Sequence, residues 1–223
     1  MCCLPSLRLP VVQRRAVPDG FLPAVLGWAG RPCRLIDFAG AKRAAVVGHD
    51  LGAVVAWSTA LLHPDRVAAV AGLSVPPVPR PRTPPTATFP RIFGDNFCEC
   101  CSPASSSGCR NPKGCLPGSP PRIWPPTSRS SPARALNWYR NFDRNWHILG
   151  TSPVAGIVTV PALFAGGKQD PVLNFTSMDR AREVATGPYR QVMLDGAGHW
   201  IQQERPQDVN AELLAFLSQL NWS

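Results

Sequence analysis

Ala44-Ala45-Val46-Val47-Gly48-His49-Asp50-Leu51-Gly52-Ala53 decides how this chain of 223 residues is read. Four small apolar residues give the signal of a short buried strand. They run directly into a turn in which glycines stand two residues before and two residues after an aspartate. Glycines in those places let the backbone bend sharply, which leaves the central side chain exposed at the C-terminal edge of a sheet, where a helix begins. An aspartate is ordinarily an anion at neutral pH and needs no base to activate it. Asp50 therefore reads as a carboxylate nucleophile. The plainer alternative is a strand, a glycine turn and a helix with an incidental acid at its start.

A carboxylate that attacks carbon leaves an ester on the protein, which a second step must hydrolyse. It suits displacement at a saturated carbon, as in an epoxide or an alkyl halide. The downstream chain supplies candidates for that second step. Pro161-Ala162-Leu163-Phe164-Ala165-Gly166-Gly167 reads as a buried parallel strand followed by Asp170-Pro171-Val172. Arg190-Gln191-Val192-Met193-Leu194 reads as the next strand. It leads into Asp195-Gly196-Ala197-Gly198-His199-Trp200, a glycine-rich loop that presents one histidine. The order is nucleophile, acid, histidine, each just past a strand end. Asp50 is read as the nucleophile, His199 as the base toward water, and Asp170 as the group that orients the imidazole. Asp195, which fits a role capping the turn, and Asp179, on a helical stretch, are alternatives for the third place.

Four blocks together resemble the soluble epoxide hydrolases of the α/β-hydrolase superfamily. They are Gly48-His49-Asp50-Leu51-Gly52-Ala53, His63-Pro64-Asp65-Arg66-Val67, Leu136-Asn137-Trp138-Tyr139-Arg140-Asn141-Phe142-Asp143-Arg144-Asn145-Trp146 and Gly198-His199-Trp200-Ile201-Gln202-Gln203-Glu204-Arg205-Pro206. The resemblance covers residues about 35–97 and 133–220. The third block corresponds to part of the family's lid, and it implies that Tyr139 faces the nucleophile. A phenol can donate a hydrogen bond to the epoxide oxygen and protonate the more basic alkoxide formed on ring opening. The resemblance implies attack by Asp50 on an epoxide carbon. Water activated by His199, itself held by Asp170, would then hydrolyse the ester to a vicinal diol. The backbone N–H of Leu51 would be one oxyanion donor. No cofactor and no metal is implied, and the partner is a small-molecule epoxide.

The chain departs from the family pattern in three places. Leu51 stands where the family usually has tryptophan, which counts against a haloalkane dehalogenase, where that tryptophan helps bind the halide. No His-Gly-x-Pro loop, the source of the second oxyanion donor, precedes Ile36; Asp19-Gly20-Phe21-Leu22-Pro23 is only an echo. Losing one such donor costs on the order of 10²–10³ in rate. The third departure is residues 75–134, which hold fifteen of the 26 prolines around a Cys/Ser/Gly-rich centre. Such composition buries little apolar surface and cannot propagate helices. The second lid tyrosine is also missing, because the only other tyrosine is Tyr189. Residues about 98–133, and 1–30, are read as out-of-frame or mis-spliced translation of a GC-rich gene, which an uninterrupted in-frame transcript would refute.

The net charge of +9 invites a nucleic-acid reading, but six of the nine excess charges fall within 75–134, scattered between prolines. No nucleic-acid motif accompanies them, so specific nucleic-acid binding is not expected. Cys98, Cys100, Cys101, Cys109 and Cys115 lack the paired spacing of a zinc module, and no histidine lies near them. The apolar stretches of the N-terminus are short and broken by proline, so no membrane span is expected. A cytoplasmic chain with reduced thiols is the expectation. An organellar one is the alternative, because Arg8, Arg14 and Arg15 stand in an N-terminus without acids.

The fold expected is α/β: a doubly wound, mostly parallel sheet, a partial α/β-hydrolase fold, with an irregular Pro/Cys/Ser-rich insertion in place of part of the helical lid. Strands are expected at 44–49, 67–74, 160–166 and 190–195, and helices at 51–62, 134–146, 174–186 and 206–220. Residues 1–34 form an atypical N-terminal segment, 35–80 and 150–223 the hydrolase core, and 81–149 the lid region, with 98–133 aberrant and 134–146 a lid helix. The functional alternatives are an epoxide hydrolase, a catalytically silent truncated remnant of one, and a dehalogenase.

Overall fold

Among the described residues, four parallel strands carry the architecture. A computed structural model describes residues 25–88, 141–151, 156–174, 176 and 178–220. The elements in chain order are helix α1 (Val25–Phe38), strand β1 (Ala44–His49), α2 (Leu51–Leu62), β2 (Val67–Leu73), α3 (Phe142–Thr151), β3 (Ala162–Gly167), α4 (Ala181–Val184), β4 (Tyr189–Leu194), α5 (Ile201–Glu204) and α6 (Pro206–Ser218). The sheet order is β1-β2-β3-β4, and every pairing is parallel. Parallel strands are covered on both faces, which is why β2 and β3 read as unbroken apolar runs and are buried almost throughout.

Alternation along the strands sorts side chains between two layers. Val70, Ala162 and Phe164 face Ala53, Ala56, Trp57 and Ala60 of α2. Ala69, Ala71 and Leu163 face Phe216 of α6 on the opposite side. The register steps from Ala44↔Val67 to Ala45↔Ala69, so Ala68 is one extra residue. That bulge explains why Val67 and Val70, an odd spacing apart, share a face. Helices on both faces make the sheet doubly wound, as the alternating strand and helix signals predict. α2 is apolar nearly all round, as a helix between layers must be. Its Ser58 and Thr59 hydroxyls donate to their own helix, to the Val54 and Val55 carbonyls. Gly72 leaves room for the Trp57 indole, whose Nε1 donates to the Val75 carbonyl at 3.0 Å.

All four expected strands form, β1 with the expected bounds and the other three with ends shifted by one or two residues. The helix expected over 174–186 does not. Its place is taken by 3₁₀ turns at Pro171–Asn174 and Met178–Arg180 and by the single turn α4. Pro171 and Asp170 start a tight turn there, and Val184 and Ala185 are drawn into the core beside Val158, which pairs with Ala185. Residues 1–34 carried no expected element, yet α1 covers 25–38, buries Cys33 and Ile36 and packs on α2. Of the expected lid helix 134–146, residues 142–146 lie in α3, which continues to Thr151, and Asn141 is in a turn before it; residues 134–140, with Tyr139, and the segment 98–133 lie outside the described residues.

Candidate active site

The turn after β1 places Asp50 at φ 55° and ψ −124°, a conformation costing a non-glycine residue about 1–3 kcal/mol. Gly48 permits it. A Cβ at Gly48 would fall 2.7 Å from the Ala53 nitrogen and closer still to the Gly52 carbonyl. The Asp50 N–H donates to the Leu73 carbonyl at 3.1 Å, which ties the turn to the end of β2. Although Asp50 occupies the N-cap position of α2, its carboxylate makes no capping hydrogen bond. It is 39% exposed, held in the favourable field of a helix N-terminus, and available as a nucleophile.

Asp170 lies past the end of β3 and its side chain is fully buried. One oxygen accepts the Val172 N–H at 2.8 Å, and the other receives His199 Nδ1 at 2.9 Å. Because a carboxylate only accepts, His199 carries its proton on Nδ1 and turns Nε2 outward. Nε2 lies 3.6 Å from Asp50 Oδ1, beyond direct hydrogen-bond reach. The hydrogen bond that His199 donates to Asp170 raises the His199 pKa above the ordinary value, burial opposes it, and the negative charges of Asp170, Asp50 and Glu204 add to the rise.

The loop that presents His199 is held by residues that its own sequence does not signal. Glu204 accepts the Gly198 N–H at 2.6 Å with one oxygen and the Trp200 N–H at 3.0 Å with the other. Asp195, read as the acid capping this turn, instead pairs with Lys168 at 2.7 Å and is 79% exposed. A short-range cap needs N–H groups aimed at it, and those of this loop aim at α5. Asp179, the other alternative, sits in an exposed 3₁₀ turn. Gln169 N–H donates to the Ala197 carbonyl at 2.9 Å, and a Cβ at Gly167 would overlap that peptide, so glycine lets the two loops touch.

Tyr189 opens β4, opposite Ala162, whereas Asp50 follows the other end of the sheet. Six residues at about 3.3 Å each separate the two ends. Burial pushes the Tyr189 phenol up to about 12, with Arg182 opposing. Tyr189 is therefore no substitute for a second lid tyrosine. An apolar cavity of about 450 Å³ runs beside α2, lined by Leu51, Val54, Trp57, Phe142, Trp146 and Leu149 among others. Leu51 links it to the nucleophile turn, but Asp50, Asp170 and His199 do not line it.

A parallel sheet whose strand ends present an acid on a strained turn, a buried acid and a histidine, in that order, defines the α/β-hydrolase class. The alpha/beta hydrolase family model matches residues 7–212, more than the two blocks of resemblance in the sequence cover. The chain is similar to Epoxide hydrolase A of Mycobacterium tuberculosis, 43% identical over 237 residues, covering 83% of this chain and 72% of that protein. It is also similar to Epoxide hydrolase 3 of Siraitia grosvenorii, 30% identical, covering 82% of this chain and 72% of that protein. The crystal structure of Epoxide Hydrolase A from Mycobacterium thermoresistibile superposes with a TM-score of 0.72 at 38% identity, covering 93% of this chain and 80% of that one. The chain belongs to the epoxide hydrolase family of the α/β-hydrolases. Among the described residues, no helix is long and apolar enough to cross a membrane.

Proposed function

We propose that the chain hydrolyses a small-molecule epoxide to a vicinal diol through an ester on Asp50. The observation that carries this reading is an uncapped Asp50 carboxylate on a positive-φ turn, facing a histidine whose tautomer a buried acid fixes. An Asp50 oxygen attacks an epoxide carbon, the carbon–oxygen bond of the ring breaks, and Tyr139 protonates the alkoxide. His199 Nε2 then takes a proton from a water that attacks the Asp50 carbonyl carbon. The Leu51 N–H stands at the first position of α2, where no intrahelical acceptor precedes it, and stabilises the resulting oxyanion. Collapse expels the diol oxygen, which receives the proton from His199, and the carboxylic acid left on Asp50 returns its proton to the Tyr139 phenolate. The 3.6 Å gap between His199 and Asp50 supports a base that works on water rather than on the nucleophile.

Residues 35–80 and 150–223, joined by 25–34 of α1, are assigned to the catalytic core and 81–149 to the lid. The same reading takes the protein as cytoplasmic, with the buried Cys33 a free thiol. A catalytically silent chain is the second reading, favoured by the position of Tyr189 at the wrong end of the sheet. Single-turnover mixing of the purified 223-residue protein with styrene oxide, followed by mass spectrometry of the Asp50 peptide, separates the two. The epoxide reading expects diol from the wild type and a trapped ester in His199→Gln. It expects no ester in Asp50→Asn, and ester formation slowed on the order of 10²-fold in Tyr139→Phe. Folded protein that yields neither ester nor diol from this or a panel of other epoxides refutes it.

A further inference from the structure

The main-chain carbonyl of His199 receives two side-chain donors from distant elements. Ser74 Oγ donates to it at 2.6 Å and His49 Nε2 at 2.9 Å. A carbonyl oxygen has two lone pairs, so the pair fills it, and a carbonyl that only accepts requires His49 to carry its proton on Nε2. The donors come from opposite sides of the nucleophile turn. His49 ends β1 and immediately precedes Asp50, while Ser74 follows β2, whose last residue, Leu73, accepts the Asp50 N–H.

Neither donor is an incidental surface contact. Ser74 is fully buried, and its φ of 66° is one that residues with a Cβ rarely adopt. Its N–H is anchored to the Ala165 carbonyl at 2.8 Å, which leaves the hydroxyl aimed at the histidine loop. The His49 ring packs against both the His199 and the Trp200 rings at 4.9 Å between centroids, and those two rings lie 5.4 Å from each other. Glu204 holds the N–H groups on either side of His199. The peptide following His199 is thus fixed through its oxygen by Ser74 and His49 and through its nitrogen by Glu204. With the backbone held there, the ring has one orientation that reaches Asp170 with Nδ1 and turns Nε2 toward Asp50.

We infer that Ser74 and His49 are positioning residues, which hold the His199 carbonyl so that the imidazole is aimed at the water that hydrolyses the Asp50 ester. The inference rests on the proposed two-step reaction for its kinetic consequence, but not for its structural one. His199 acts only in the second step, so loss of the clamp slows ester hydrolysis and spares ester formation. Misplacement by about 1 Å costs up to 10²-fold.

The test uses the full chain with ¹⁵N-labelled histidine and three variants. Ser74→Ala removes one donor and keeps a Cβ. His49→Phe removes the other and keeps a flat ring, whereas His49→Gln restores an N–H at the same reach. NMR reads the Nδ1–H resonance of His199, assigned by its loss in His199→Gln. Single-turnover mixing with styrene oxide reads the two steps separately. The expected result is a weakened or lost resonance in Ser74→Ala and His49→Phe and its retention in His49→Gln. Ester hydrolysis in Ser74→Ala falls 10- to 100-fold while ester formation changes less than about threefold. An unchanged resonance in both donor-deleted variants overturns the inference, as does an equal loss of both steps or no loss of either. Should the wild type form no ester while the resonance responds as expected, the clamp stands and the two-step reading fails.

Discussion

Asp170→Asn is the sharpest test of the site, because the structure leaves the substituted amide no alternative partner. In the wild type, one oxygen accepts the Val172 N–H and the other the His199 Nδ1–H. An amide has only one acceptor atom. If its oxygen keeps the Val172 N–H, its NH₂ group meets the His199 Nδ1–H at 2.9 Å, donor against donor. His199 escapes by moving its proton to Nε2, which then points at Asp50 already protonated and cannot take a proton from water. The side chain is fully buried, so solvent does not supply the missing acceptor. A histidine held in the wrong tautomer loses on the order of 10⁴ in turnover, about 5.5 kcal/mol at 1.36 kcal/mol per decade. In the proposed reaction only the hydrolytic step uses His199. Rapid mixing of Asp170→Asn with styrene oxide should show ester on Asp50 forming within a fewfold of the wild-type rate and decaying 10³- to 10⁴-fold more slowly. Decay slowed less than about threefold would mean that Asp170 does not set the tautomer, and the assignment of the third member would be wrong.

Two further expectations concern pH and the turn. His199 is raised above its ordinary value of 6.5, chiefly by the Asp170 hydrogen bond. In the proposed reaction its neutral form is the base, so ester hydrolysis should rise as pH increases through a midpoint above 6.5, measured from single-turnover decay rates; a midpoint below 6.5 contradicts that role. The same shift favours the folded state when the imidazole is protonated. That stabilisation is complete below the unfolded value and is lost as pH rises through the raised one, which thermal unfolding across pH should detect. Gly48→Ala places a Cβ against the Gly52 carbonyl and 2.7 Å from the Ala53 nitrogen, backbone atoms that cannot swing aside. It should cost more than about 3 kcal/mol in urea unfolding, and a loss under about 1 kcal/mol would show that the turn relaxes without a glycine.

Much of the fold was legible because its signals are local. A run such as Val67–Leu73 announces a doubly covered strand by composition alone, and Gly48 and Gly52 announce a sharp turn by spacing. Asp50, Asp170 and His199 could be picked out together because each follows a strand of the same parallel sheet, so strand ends already share one edge. The stretch 174–186 does not form the expected helix because the Pro171 turn and the tertiary pull that draws Val184 and Ala185 into the core outweigh its helical pattern. α1 is not legible in the sequence because a segment interrupted by Pro32, Arg31 and Arg34 shows little until α2 gives its Cys33 and Ile36 face something to cover.

A carboxylate in the place proposed for a nucleophile, an acid and a histidine after it in order, and the strands that gather them are all visible in the residues themselves. Which acid faces the histidine, that Glu204 rather than Asp195 caps its loop, and that Ser74 and His49 bond its carbonyl emerge only in the folded chain. The reason is the distance along the chain. Ser74 and His49 lie 125 and 150 residues from the group they bond. A serine after a strand or a histidine before a nucleophile carries no local mark of a partner that far away. Such a partner becomes visible only when β1, β2 and the loop after β4 meet at one edge of the sheet.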